Sequence, residues 1–201
     1  MTQKALSRVL GSAIAIVLAA TMTVVGTAGS AHADWGQTWT HFDNMEPRST
    51  GTAADRFFLE NDGPSTSGEW VTASSGQLFV HSGLTAARVY RAGSWLPGES
   101  FAAVGKYVTV TPRAVGYWPT CQFSAWVYSG EGGQYNVEVI DPATWNYISL
   151  AQFTERPAYT WNQVTTGKFN VPSRVVLRVS YLTSNASASA FADDFRLTCT
   201  Y

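Results

Sequence analysis

Read every second residue, the stretch CQFSAWVYS (121–129) separates into two rows. Cys121, Phe123, Ala125 and Val127 are apolar, and Gln122, Ser124, Trp126 and Tyr128 mix hydrogen-bonding groups with large aromatics. In an extended strand such rows point to opposite faces. The same alternation recurs along the chain. Val175, Leu177, Val179 and Tyr181 alternate with Val176, Arg178 and Ser180, and Tyr135, Val137 and Val139 with Asn136 and Glu138. One apolar row and one polar row per segment is the signature of antiparallel sheets packed on one side. The pattern predicts strands over 77–82, 86–92, 100–105, 106–112, 121–129, 135–141, 147–153, 161–169, 174–182 and 190–199.

Between these runs lie Gly, Pro, Ser and Asn. The Gly-rich 129–134 reads as a hairpin connection. The only helical signal is one or two turns within 51–60, and the irregular 44–69 reads as a long loop packed on the sheets. Many short strands with regular turn signals predict an all-β sandwich or barrel.

The N-terminal segment is of another kind. Lys4 and Arg8 precede an uncharged apolar run (13–25), and AHA ends at Ala33. This is the layout of a secretory signal with a small-x-small cleavage site. The run is too short and too interrupted for a membrane span, and no second apolar segment follows it. Residues 1–33 are therefore expected to be removed, leaving a single secreted domain over 34–201. That length can bury a full core. All fourteen acidic residues lie after Ala33, and the mature part carries a net charge near −3 with no basic run. Nucleic acid and anionic membrane are poor partners for such a surface. Cys121 and Cys199 are the only cysteines, and an exported pair predicts one disulfide.

Catalytic signatures are sparse. The sequence SGEGGQY lacks the Lys-Ser/Thr of a phosphate loop, and no zinc-binding His pair or nucleophile elbow appears. After Ala33 there are only two histidines, His41 and His81. Glu60, Glu69, Glu99, Glu131, Glu138 and Glu155 are scattered, and Glu138 alone sits on the polar row of a predicted strand. Two carboxylates across a cleft suffice for glycoside hydrolysis, so a small secreted hydrolase or lyase is one alternative. A secreted protein-binding or inhibitor module is another. The reading leans away from an enzyme.

Three ordered segments resemble one family. HFDNMEP (41–47) resembles the opening Phe-acid element of jelly-roll, galactose-binding-domain-like carbohydrate-binding modules. YTWNQVTTGKFNVP (159–172) resembles their Trp-led strand, and FADDFRL (191–197) their closing Asp-Asp strand. The resemblance implies an antiparallel jelly-roll β-sandwich that binds a polysaccharide or glycoconjugate, lectin-like and without chemistry. It also implies a structural calcium between Asp43 and Asp193 or Asp194, since a hard cation takes six to eight oxygens.

The family's sugar site lies on a sheet face or at a loop edge. A sugar ring offers an apolar C–H face to an aromatic and a rim of hydroxyls to amide, carboxylate or guanidinium groups. On the face, Trp126 and Tyr128 are the expected platforms, with Gln122, Glu138 and Arg178 as hydroxyl partners and Tyr90 and Arg88 extending the row. At the edge, Trp118 and Trp145 are the candidates, with Tyr147 just after the latter. The competing reading packs Trp126 under the 44–69 loop. Trp39, Trp70 and Trp161 are expected to be structural.

Overall fold

A computed structural model describes residues 36–49, 51–61, 66–73, 79–92, 101–111, 118–128, 133–155, 159–171, 173–182 and 187–201. The predicted signal segment lies outside them. The elements are β1 (Thr38–Asp43), α1 (Ala53–Arg56), β2 (Phe58–Asn61), β3 (Thr66–Thr72), β4 (Thr85–Ala92), β5 (Ala102–Thr109), β6 (Thr120–Tyr128), β7 (Gly133–Ile140), β8 (Tyr147–Glu155), β9 (Asn162–Thr165), β10 (Phe169–Asn170), β11 (Arg174–Leu182) and β12 (Ser187–Thr200).

Two antiparallel sheets face each other. The seven-stranded sheet runs β10-β6-β12-β4-β3, with β1 also beside β12 and β9 beside β6; the five-stranded sheet runs β2-β5-β11-β7-β8. The long β12 pairs along one edge with β4 and then β1, and along the other with β6. A register shift interrupts the β12–β6 ladder between Asp193 and Arg196, and Asp194 there adopts φ 52°. The apolar rows expected from alternation form the core between the sheets: Phe123, Ala125 and Val127 from β6 meet Val137 and Val139 from β7 and Val175, Leu177 and Val179 from β11. Cys121 and Cys199 face each other across the β6–β12 ladder and form the predicted disulfide. It closes a loop 78 residues apart in sequence, which in the chain-entropy model stabilises by about 4–5 kcal/mol.

The all-β expectation holds, and five local expectations change. Segment 44–69 is not one long loop: it holds α1, β2 and the start of β3. The strands expected at 100–105 and 106–112 are one strand, β5, and the one expected at 161–169 is split into β9 and β10. Residues 79–82, the described part of the strand expected at 77–82, form bends instead. Residues 129–132 of the expected hairpin connection lie outside the described residues, and the strands before and after it, β6 and β7, belong to different sheets. The hairpin of that region is β7–β8.

Candidate functional site

The outer face of the five-stranded sheet carries a layered set of side chains. In one row across the strands, Tyr107 lies opposite Val176, Val176 opposite Ile140, and Ile140 opposite Tyr147. Val176 and Ile140 are buried, whereas Tyr107 and Tyr147 at the two ends of the row are 43% and 55% exposed. Three strand spacings put the two tyrosine backbones about 14 Å apart. The next row is Phe58, Gly105, Arg178, Glu138 and Leu150, and the one after it Glu60, Ala103, Ser180, Asn136 and Gln152. Gly105 is required here: a Cβ on it would come within 2.3 Å of the Phe58 ring, so its absence lets that ring lie over β5. Phe58 in turn packs on Tyr107, their centroids 5.5 Å apart, and the Arg174 guanidinium lies 4.5 Å from the Tyr107 ring centre.

The polar rows are organised before any ligand arrives. Arg178 donates through Nε to Glu138 and through Nη1 to Glu60, the latter at 2.7 Å. The Ser180 hydroxyl donates to the other Glu138 oxygen at 2.7 Å. Gln134 donates to Asn136 at 2.9 Å, and Phe101 lies against the Arg178 guanidinium. Burial pushes the Glu138 carboxyl up, and the Arg178 charge and the Ser180 hydroxyl oppose it. Arg178 is held above its usual value, because Glu138 and Glu60 outweigh its own burial. Glu138 is 1% exposed and turned toward Arg178 and Ser180, so it is not free to protonate or attack a bond in a ligand on this face.

The β7–β8 turn closes one end. The Asp141 carboxylate accepts from the Ala143 N–H at 2.9 Å and the Thr144 hydroxyl at 3.2 Å. The Trp145 N–H reaches the Asp141 carbonyl at 2.8 Å. This closure places Trp145 at φ 58°, with its indole 49% exposed. Only small or short polar residues normally occupy that region without cost.

The sequence-predicted residues fall on two faces that point away from each other. Glu138 and Arg178 belong to the face just described, with Trp145 at its end. Gln122, Trp126, Tyr128, Tyr90 and Arg88 lie on the outer face of the seven-stranded sheet, so the expected single row does not exist. There Trp126 is stacked by His81, with centroids 3.9 Å apart and planes 16° from parallel. Trp161 meets the same imidazole edge-on. Tyr128 is 5% exposed, packed against Phe79, Phe191 and Trp161, and is no open platform. The cover over Trp126 is the segment 79–84, not the 44–69 region. Trp39 and Trp70 pack against the core as expected.

Gln122 donates to the Thr166 carbonyl and lines a polar groove of about 400 Å³ with Thr120, Lys168, Thr198, Thr200 and Tyr201. Arg88 bonds Glu69 and Ser189 and lies near the Tyr90 ring. Trp118 is 42% exposed just ahead of β6, a strand of this other sheet. Tyr107 and Phe58 are not among the residues expected from the sequence, and Asn136 and Ser180 are expected only as members of polar rows. The available signal was the alternation of Tyr107 and Thr109 with Lys106, Val108 and Val110.

The expected calcium ligands are likewise apart. Asp43 lies opposite Phe195, whose ring is in the core, so its carboxylate points between the sheets. Asp193 lies opposite Trp126, on the outer face. Among the described residues, no group of three or more His, Cys, Asp or Glu is placed to hold a metal, and no helix is long and apolar enough to cross a membrane.

Solved structures share this fold. A family 61 carbohydrate-binding module in complex with β-1,4-galactotriose matches with a TM-score of 0.53 at 16% identity, over 70% of this chain and 86% of its own. The K2 cleaved adhesin domain of Lys-gingipain matches with a TM-score of 0.51 at 14% identity, over 81% of this chain and all of its own. No protein-family model matches the sequence. No curated protein matches it. At these identities the likeness concerns the fold: the chain has the jelly-roll β-sandwich architecture of carbohydrate-binding modules.

Proposed function

We propose that this is a secreted, non-catalytic carbohydrate-binding protein whose ligand lies across the outer face of the five-stranded sheet. The observation that carries the reading is a pair of exposed tyrosines, Tyr107 and Tyr147, at the two ends of one row and beside a charge-paired polar row. Sugar C–H faces stack on the phenol rings and on Trp145, while hydroxyls reach Asn136, Gln152 and the outer edge of the Glu60–Arg178 pair. The network is fixed in advance by its own hydrogen bonds, so little ordering cost falls on binding.

The charge balance favours a neutral glycan. Arg178 is already bonded to two carboxylates, so an acidic sugar laid over the polar rows would meet Glu60 without help from that guanidinium, leaving Arg174, at the Tyr107 ring, to offset it. That a module of the same fold was solved with β-1,4-galactotriose supports the ligand class, without fixing which sugar. A hydrolytic reading is not favoured, because Glu138 is enclosed and paired.

The test is a glycan array with pull-down on insoluble polysaccharides. Wild type is expected to bind at least one neutral glycan, with little loss at high salt. Tyr107→Ala and Tyr147→Ala should each weaken binding roughly three- to tenfold, as the loss of one aromatic stacking contact implies. Affinity unchanged in both variants would place the ligand elsewhere. Release of reducing ends from the bound glycan would replace the binding reading with an enzymatic one.

A further inference from the structure

The acidic residues that a calcium would need are engaged by protein groups, in two closed networks on opposite faces of one sheet. On the inner face, Asp43 is fully buried. One carboxylate oxygen accepts the Met45 N–H at 3.0 Å and Arg56 Nη2 at 3.0 Å. The other accepts Arg56 Nε at 2.9 Å and the Lys106 ammonium. Arg48 approaches within 3.2 Å. Three cations thus surround one carboxylate, and a divalent ion brought there would be repelled by all three. Arg56 is also fixed from behind, donating to the carbonyls of Glu46, Gly51 and Thr52.

On the outer face, one Asp193 oxygen accepts the backbone N–H groups of His81 and Ser82, each at 3.1 Å, and the other accepts the Asp194 N–H at 2.7 Å. Asp194 pairs with His81 Nδ1 and the Ser82 hydroxyl, each at 2.6 Å. The closing Asp pair therefore anchors the segment 79–84, whose far end is held by the Glu46 carboxylate through the N–H groups of Leu84 and Thr85.

We propose that this chain braces its terminal strands without a metal: Lys106 and Arg56 take the place of a cation at Asp43, and the 79–84 segment takes the ligands of the Asp193–Asp194 pair. Lys106 belongs to β5 and Asp43 to β1, so this ion pair ties the two sheets together where a metal would have tied one chain end to the other. The proposal does not depend on sugar binding, and its test does not use a glycan.

The experiment is thermal unfolding of the mature chain in excess chelator and in millimolar calcium, with calorimetric titration of calcium into the chelator-stripped protein. The expected result is a Tm that agrees within about 1 °C between the two conditions and no binding heat. A metal held at a hundred times its Kd would instead separate the two melts by roughly 5–10 °C, and that separation would overturn the proposal. Lys106→Met, which keeps the apolar stem, should lower Tm by roughly 5 °C or more, and calcium should not restore it. Recovery of that loss by calcium would also overturn the proposal. The wild-type comparison stands even if the variant does not fold.

Discussion

Trp145 carries the clearest conflict between local preference and placement. A bulky residue at φ 58° costs on the order of 1–2 kcal/mol relative to one that tolerates the left-handed region. Nothing in the core repays this, because the indole is exposed at the turn. Strain combined with an exposed aromatic is what a contact residue kept for its ring looks like. Trp145→Asn is therefore expected to raise stability by about 1 kcal/mol, since Asn suits this backbone and leaves the Asp141 turn bonds intact. The same change should weaken glycan binding severalfold. Paired melting and binding curves on the one variant check both signs together, and a variant that lost both stability and affinity would assign the indole to packing.

At the scale of elements, Trp126 shows what an alternating pattern can and cannot tell. Its strand, its row and the direction of that row follow from the sequence, and β6 forms as the period of two requires. What covers the row does not follow, because the partner comes from 79–84, a stretch whose apolar residues read locally as a strand. His81 stacks on Trp126, and Phe79 stacks on Phe191 beside it. Trp126→Ala should thus cost about 3 kcal/mol in stability, the lower end of the range for fully buried aromatics because the indole is only partly buried, with glycan affinity intact below the melting temperature. Reduced affinity in a variant that melts normally would move the site to this sheet.

The same limit explains the rest of the reading. Strands β4, β6, β7, β8, β11 and β12 are legible as short runs rich in apolar, β-branched and aromatic residues between turn signals, although β7 and β11 bury both of their rows. Strand β2 is not, because Phe58 and Leu59 are apolar on opposite faces, one on the outer face of the sheet against Tyr107 and one against the core. Strand β3, largely polar with Gly68 in its interior, lies at the sheet margin and offers little alternation. Gly105 read as a break between two strands, whereas it is the point where β5 makes room for a neighbouring ring. Parity along a strand fixes which residues share a side; it does not fix which sheet the strand joins. Glu138 and Arg178 were therefore grouped with Trp126 although they face the other way.

For the whole molecule, the junction of the two sheets at Asp43 makes stability depend on acidity in a particular window. Burial alone would raise this carboxyl, but the bonds from Arg56 and Lys106 outweigh it and hold it at about 2, below its ordinary 3.8. Lys106 is drawn down, by burial first and by the nearby Arg56 and Arg48 charges, against the pull of Asp43. A carboxylate depressed by folding contributes stability that is fully present above its unfolded value and is lost as pH falls through its folded one. For Asp43 the window runs from about pH 4 down to about pH 2, and the contribution is on the order of 2 kcal/mol.

Asp55, drawn down by its bonds to Thr52, shifts in the same direction, whereas Glu138 and Asp193, raised by burial, have the opposite sign: their protonation favours the folded state. The total curve therefore does not isolate Asp43, but the difference between wild type and Asp43→Asn does. That variant keeps the shape while removing the charge, and it leaves Lys106 and Arg56 without their counterion at every pH. The stability gap between the two proteins, measured by denaturant unfolding, should be at least 2 kcal/mol at pH 7, stay level down to about pH 4, and narrow as pH approaches 2. A gap that stayed constant over that interval would mean that Asp43 titrates as it does in the unfolded chain, and that the sheets are joined by apolar burial alone.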